Sequence, residues 1–482
     1  MNNDHKTILE QYRKCTNYNL MTDYYSKSAQ HYDFYIGDQW KGVNAPGLDK
    51  PVLNFIRRVC SFLTAMVASR DVSAFVTPYV YTEQNVLTAD IMNVSLAQVF
   101  ENSKLTVMAR KTVLDAIVTG DGYLYWYYSD GTVKNELLKG TNVLFANPYL
   151  NDIQKQPFVL IEQREYLDKV KEMAAENMQE TKNIKADENC LPSVESLPAV
   201  TLITKMYKQD GKVWYTQVTR DAVITPPVCL GYSVYPIAKF TWDYRHNACR
   251  GVGAVENLIP NQIAVNKLWA MALLHQKSMA FPKIFFDKTK LDKWTNRVGA
   301  AIGVIGNPND AVATSFKADD MSSQLVDLVE KTIAFTKEFM GANDTSLGNV
   351  NPENTSAILA VQRSATIPLE NQKQQFADFL EDCVVIVMDI MKCRFGQRYV
   401  LAAQGKGQEM ERFDFADLDV SQLSWAIQAD TSTPWSESVQ MQTLENLYAK
   451  QILTDAYDYV QAIPSAQLKN KQQILKKLEE KM

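Results

Sequence analysis

Four histidines, His5, His31, His246 and His275, stand in unrelated local settings, and no serine or cysteine occupies a nucleophile-elbow pattern, so a triad-type enzyme is not indicated. His246 and Cys249 have the H-x-x-C spacing of one metal-ligand pair, but no second pair follows, and Cys383 with Cys393 is too widely spaced to supply it. The glycine-rich "GDG" at 120–122 and "GVG" at 251–253 read as turns, because neither carries the full dinucleotide spacing, and no GxxxxGK[ST] phosphate loop occurs. Acidic residues gather in "ADD" at 318–320, "EDC" at 381–383 and "DFADLD" at 414–419. A metal-dependent nuclease or phosphotransferase would need several of them to converge on one ion, with the 411–419 cluster, including Asp414 and Asp417, as its candidate. Asp319 and Asp320 have a simpler reading as acids at the positive end of a helix beginning near 322. No catalytic residue, cofactor or metal ion is expected from these patterns.

The elements that would position any such residue are those of a large globular chain. With 482 residues, 46% of them hydrophobic, the sequence can bury a sizeable core and should divide into lobes. A net charge of −5, from 50 basic against 55 acidic residues, argues against a broad grip on a nucleic-acid backbone. The seven cysteines, odd in number and scattered, fit reduced thiols rather than a disulfide framework. "MNNDHKTILEQYRK" is polar from its first residue and lacks the apolar core of a secretion signal. The longest apolar run, 383–393, contains Asp389 and falls well short of the ~20 residues that span a bilayer, so a soluble chain without membrane contact is expected.

Along the chain, residues 1–120 read as mainly α: a helical pattern from Thr7 to Tyr35 ending at Gly37 and Asp38, a helix in "NFIRRVCSFLTAMVASR", and two more at about 83–101 and 104–119. From 121 to 250 the texture is β, with candidate antiparallel strands "YLYWYY", "NVLFAN", "FVLIEQREY", "AVTLITKMYK", "KVWYTQVT" and "YPIAKFTWDY". "QETKNIKADENCLPSVESLP" interrupts them as an exposed loop. Residues 255–280 then predict an amphipathic helix with Val255, Leu258, Ile259, Val265, Leu268, Trp269 and Ala272 on one face, closed by Pro282. Strand candidates "PKIFFD" and "AIGVIG" lie within 282–321, and a second amphipathic helix over 322–340 carries Leu325, Leu328, Val329, Thr332, Phe335 and Phe339.

A polar loop, "GANDTSLGNVNPENTSA" at 341–357, separates that helix from a helical pattern over about 355–395, which would be about 60 Å long. Pro368 should kink it, since its ring removes a backbone donor and clashes with the preceding turn. Beyond the kink, Phe376, Phe379, Leu380, Cys383, Val384, Val387, Ile390 and Met391 make a wide apolar stripe. Residues 397–430 return to a β pattern and 434–482 read as three short helices. Two amphipathic helices flanking a small β insert can project it from the main body, with their apolar faces covered by copies of the chain in a ring. An ordinary helical hairpin buried inside one domain would show the same periodicity.

The order of these motifs resembles the portal proteins of tailed double-stranded DNA bacteriophages, the head-to-tail connectors. "YDFYIGDQW" followed by "KPVLNFIRRVCSFLTAMVASR", "VLDAIVTGDGYLYW", and above all "YPIAKFTWDYRHNACRGVGAVENLIPNQIAVNKLWAM" are similar to the family's segments, as an ordered series over roughly 31–430. The resemblance implies an α+β portal fold. Residues 1–254 with 396–430 would form the wing, 255–281 and 322–342 the stem helices, 282–321 the clip, 343–355 a tunnel loop, 356–395 a long kinked wing helix and 431–482 a short helical crown. It also implies a ring, a dodecamer in this family, at one capsid vertex of the virion, assembled in the host cytoplasm. Double-stranded DNA would pass through its channel during packaging and ejection. The implied partners are the terminase large subunit, head-tail adaptors, and the major capsid and scaffolding proteins. The tunnel loop would comprise Asn343, Asp344, Thr345, Ser346, Leu347, Gly348, Asn349, Val350, Asn351, Pro352, Glu353 and Asn354, with no Lys or Arg to hold passing phosphates. Lys283, Lys288, Lys290, Lys293 and Arg297 outnumber Asp287 and Asp292 in the clip candidate and would dock an acidic partner surface, or else form a solvated charged turn. A capsid-associated connector or scaffold without a DNA channel is the alternative in the same class.

Overall fold

The computed structural model describes residues 4–68, 71–187, 198–280, 283–293, 295, 302–307, 309–310, 313–316, 323–339, 367–404, 407–430, 444–448, 450, 459–460 and 463. The chain opens with α1 (His5–Met21) and α2 (Tyr24–Ile36), two helices where the periodicity predicts one. The break has a local cause: Thr22 folds its hydroxyl back on the Tyr18 carbonyl at 3.0 Å, and Asp23 takes a left-handed φ of 55°. Helix α3 (Phe55–Val67) starts where the Asn54 side chain accepts the Arg57 N–H at 3.1 Å. Strand β1 (Asp71–Pro78) follows, inside a stretch that the sequence reading assigns to helices. Its partner is β14 (Leu423–Asp430), more than 300 residues away, so no local pattern could announce it. Helix α4 (Glu83–Asn102) is capped by Thr82, and α5 (Leu105–Thr119) ends at Gly120.

Two antiparallel sheets make the body. The first has the order β3-β2-β9, with β2 (Asp121–Ser129) between β3 (Thr132–Leu138) and β9 (Ile237–Thr241). The second is a five-stranded meander of β4 (Val143–Phe145), β5 (Phe158–Tyr166), β6 (Ala199–Gln209), β7 (Lys212–Val218) and β8 (Val223–Cys229). The β2–β3 and β6–β7 hairpins turn through Asp130-Gly131 and Asp210-Gly211, with positive φ at all four residues, the two-residue geometry that matches strand twist. Helix α6 (Leu167–Glu176), not foreseen from sequence, follows β5. The expected exposed loop is coil through 181–187, where Asp187 accepts both the backbone N–H and the hydroxyl of Thr201. Residues 188–197 lie outside the described ones.

Helix α7 (Ala254–Ala280) runs antiparallel to α8 (Ser323–Phe339): near the start of α7, Asn261 donates to Thr336 Oγ1 near the end of α8 at 3.0 Å. Between them, β10 (Lys283–Phe286) pairs with β11 (Ala313–Phe316). The sequence reading placed the second strand at "AIGVIG", but those described residues form coil and a bend; Ile305 donates instead to the Lys290 carbonyl at 3.0 Å. Pro368 lies in a 3₁₀ turn, Ile367–Leu369, that leads directly into α9 (Glu370–Arg394); residues 356–366 are outside the described ones. The stripe Phe376 to Met391 on α9 is buried as its spacing requires, and Phe376 meets Phe240 of β9 edge-on, ring centroids 6.2 Å apart. Hairpin β12 (Gln397–Gln404) with β13 (Gly407–Asp414) completes the described body.

Candidate functional site

The glycine turns at 120–122 and 251–253 pack against each other, and this contact sets the root of α7. Gly120 has φ of 106°, and a Cβ there would collide with the Gly251 carbonyl. A Cβ on Gly251 would lie 2.9 Å from the Asp243 and Gly120 carbonyl oxygens, and one on Gly253 2.8 Å from the Ile117 and Val118 carbonyl oxygens. Such approaches between backbones exclude any side chain.

A charged cluster locks this junction. The Asp121 side chain, 1% exposed, accepts the Gly251 N–H at 3.0 Å and the Thr241 hydroxyl at 2.8 Å, and lies 3.4 Å from Lys239 Nζ. Lys239 in turn donates to Asn151 and to the Cys249 carbonyl. Arg250 Nη1 donates to the Tyr24 hydroxyl, the Tyr123 hydroxyl and the Gly140 carbonyl at 2.9–3.1 Å, and Nη2 donates to the Val143 carbonyl. Its guanidinium carbon sits 4.2 Å from the Tyr24 ring centroid and 5.0 Å from that of Phe145. Arg250 thereby ties α2, β2 and the chain before β4 to the residue that opens the α7 turn. Nearby, burial pushes the Asp243 carboxyl upward, partly offset by the hydrogen bond from Gln372 at 2.8 Å.

A second polar network runs along α7. Gln262 Nε2 donates to the Leu53 carbonyl at 2.8 Å and to Asn266 Oδ1 at 3.0 Å, and Asn266 Nδ2 donates to Gln39 Oε1 at 2.6 Å. Gln39 Nε2 closes on the Phe34 carbonyl and Asn54 Nδ2 on the Tyr35 carbonyl, both at 3.0 Å. Lys277 pairs with Asp49 at 2.6 Å on the surface. Gln39 of "GDQW" and Gln262 and Asn266 of "PNQIAVN" are thus one network, although the sequence separates them by about two hundred positions, and Asn54 of "LNF" caps α3 beside it. Buried amides satisfied by one another hold α7 against the segment between α2 and α3 more tightly than apolar contact alone.

The outer faces of the α7–α8 pair differ from a closed hairpin. Val329 and Thr336 of α8 are buried against α7, but Leu328 and Phe335, two turns apart, are 52% and 56% exposed. On α7, Met271 and Leu274 are 56% and 45% exposed. Of the residues that the spacing puts on one face of α8, Val329 is buried in the chain whereas Leu328 and Phe335 are exposed.

The basic residues of the clip candidate share one end of this unit. Lys283 is on β10, and Lys288, Lys290 and Lys293 are in the turns after it; Lys288 and Lys293 are exposed and Lys290 is half-buried. Asp287 is occupied locally, accepting the Thr289 N–H and hydroxyl at 2.9 and 2.6 Å, and these bonds hold its carboxyl below the ordinary range. Arg297 and the whole loop Asn343 to Asn354 lie outside the described residues.

Among the described residues no catalytic constellation forms from the acids, and Asp319 and Asp320 lie outside them. Asp414 accepts the Ala416 N–H and a Gln397 amide proton, Asp419 accepts from Gln422, and Asp417 is exposed. These carboxylates shape turns. His246 is exposed while Cys249 is buried with its thiol pushed up by burial. Among the described residues no three His, Cys, Asp or Glu side chains gather as for a metal ion, and no helix is long and apolar enough to cross a membrane. Sequence reasoning missed Asp121, Lys239 and Arg250; their one visible signal was adjacency to the glycine turns.

A search of curated proteins finds no match to the chain. The sequence model of a phage P22-like portal protein family matches residues 142–480, more than two thirds of the sequence, and includes Lys239, Arg250, all of α7 and α8, and the loop between α8 and α9. The chain therefore belongs to the phage P22-like portal protein family.

Proposed function

We propose that this portal protein forms a ring at one capsid vertex and that the ring encloses a channel for packaging and ejecting double-stranded DNA. The α7–α8 unit would serve as the stem, the β10–β11 end as the clip, and residues 343–355 as a loop narrowing the channel. The observation that carries this reading is the exposure of Met271, Leu274, Leu328 and Phe335 on helices whose other faces are packed. Large apolar side chains held outward on a rooted helix pair suit burial against a second copy of the same unit. The net charge of −5 and the absence of Lys and Arg from the 343–354 stretch suit a lining past which phosphates slide. Lys288 and Lys293 at the free end fit an acidic surface on the packaging motor or a head-tail adaptor. Native mass spectrometry and negative-stain microscopy of the full-length chain test the proposal. Rings with a pore wide enough for duplex DNA are expected; a strict monomer at high concentration refutes assembly, and rings without such a pore support a connector that does not conduct DNA.

A further inference from the structure

Between the N-terminal helices and the body lies a cavity of about 770 Å³ that plays no part in the proposed channel, and its volume falls in the range of small-molecule sites. Tyr12, Tyr24, Tyr25 and Tyr32 supply aromatic wall, and Asp115 and Glu162 supply carboxylates. We propose that this cavity binds a small alkylammonium ligand, its cationic head against Asp115 and its methylenes among the tyrosine rings.

The charges on the wall favour that class. Glu162 is engaged, accepting the Tyr12 hydroxyl at 3.0 Å, and Asp33 is ion-paired with Lys41 at 2.6 Å. Asp115 differs, because among the described residues no hydrogen bond reaches its carboxylate. Lys139, exposed on the wall, acts on Asp115 only through space, without an ion-pair contact. Burial pushes the Asp115 carboxyl up to about 6 despite the opposing charge of Lys139, so a bound cation would relieve a carboxylate that the protein compensates only at a distance. Aromatic faces add attraction for an ammonium and its alkyl chain, whereas Asp115 and Glu162, outnumbering Lys139 on the wall, disfavour an anion.

Calorimetric titration of the full-length chain at constant ionic strength, with putrescine and the uncharged isostere butanediol as probes, decides the matter. Saturable binding of one putrescine per subunit and none of the diol is expected. The affinity should fall at least about tenfold in Asp115→Asn. In the wild type it should fall as pH drops from about 7.5 to about 5, because Asp115 is then protonated. Tyr32→Leu, at an exposed wall position, should weaken binding about threefold. Equal heats from putrescine and the diol overturn the proposal, as does unchanged putrescine affinity in Asp115→Asn or across the pH range. Should Asp115→Asn fail to fold, the two wild-type comparisons decide alone.

Discussion

The Asp121 carboxylate accepts the backbone N–H of Gly251 at 3.0 Å, joining the start of β2 to the turn that launches α7 across 130 positions of sequence. The same carboxylate faces Lys239, whose side chain is 6% exposed, so the junction is a buried ion pair as well as a hydrogen bond. Helix α7 therefore starts from a fixed point on the body.

Asp121→Ala removes one partner of that pair and leaves Lys239 buried without its counter-charge. A loss of about 3–5 kcal/mol is expected, read as a lower urea midpoint, because an uncompensated buried charge costs more than the pair contributed. An unchanged midpoint would mean that Lys239 finds water instead.

Gly251→Ala should destabilise by about 2 kcal/mol or more, since its Cβ would press on the Thr241 side chain and two carbonyl oxygens that cannot move independently. Gly303→Ala is the matched control: its Cβ meets nothing within 4 Å, and thermal unfolding should be unaltered. Similar effects from the two would remove the close-approach argument.

Asp115 gives a pH prediction with a definite sign. Its folded carboxyl is raised from 3.8 to about 6, so the folded state binds more protons between those values and stability falls as pH rises through them. Above about pH 6 the penalty is constant, of the order of 1–2 kcal/mol after allowance for solvent. Asp115→Asn should raise stability by about that amount at neutral pH and flatten the acid limb, as followed by urea unfolding at several pH values.

On the outer faces, Leu328→Glu and Phe335→Glu should keep the subunit's circular dichroism spectrum and lose rings in native mass spectrometry, because both side chains are more than half exposed in the single chain. Rings formed as readily as by the wild type would place the subunit contacts elsewhere.

Replacing residues 345–353 by a short Gly-Ser link should leave assembly intact while DNA packaging or retention fails in a complementation assay. Normal packaging by that variant would take the loop out of the channel function.

Helix periodicity was the strongest signal in the sequence. The α9 stripe from Phe376 to Met391 and the Val255-to-Ala272 face of α7 could be read directly, because each helix buries residues at its own local spacing. Strands β2, β5, β6 and β7 were legible for a related reason, as aromatic and branched runs between turns. β3, "TVKNELL", was not, although Asp130-Gly131 before it marks a hairpin; its polar face hides the alternation. β1 was invisible because, among the described residues, its strand partner is β14, more than 300 positions away.

By itself the sequence determined the long helices and the strands β2, β5, β6 and β7, the lack of a familiar catalytic motif, and the order of motifs that pointed to a portal protein. Tertiary structure alone decided that the two glycine turns are one contact, that Arg250 and Asp121 clasp it, and that Asn266 donates a hydrogen bond to Gln39 across the fold. The physical reason is distance along the chain. Propensity and periodicity act within a few residues, whereas a buried charge or amide is satisfied by whatever group the finished fold brings within 3 Å, and nothing in its neighbouring letters names that group.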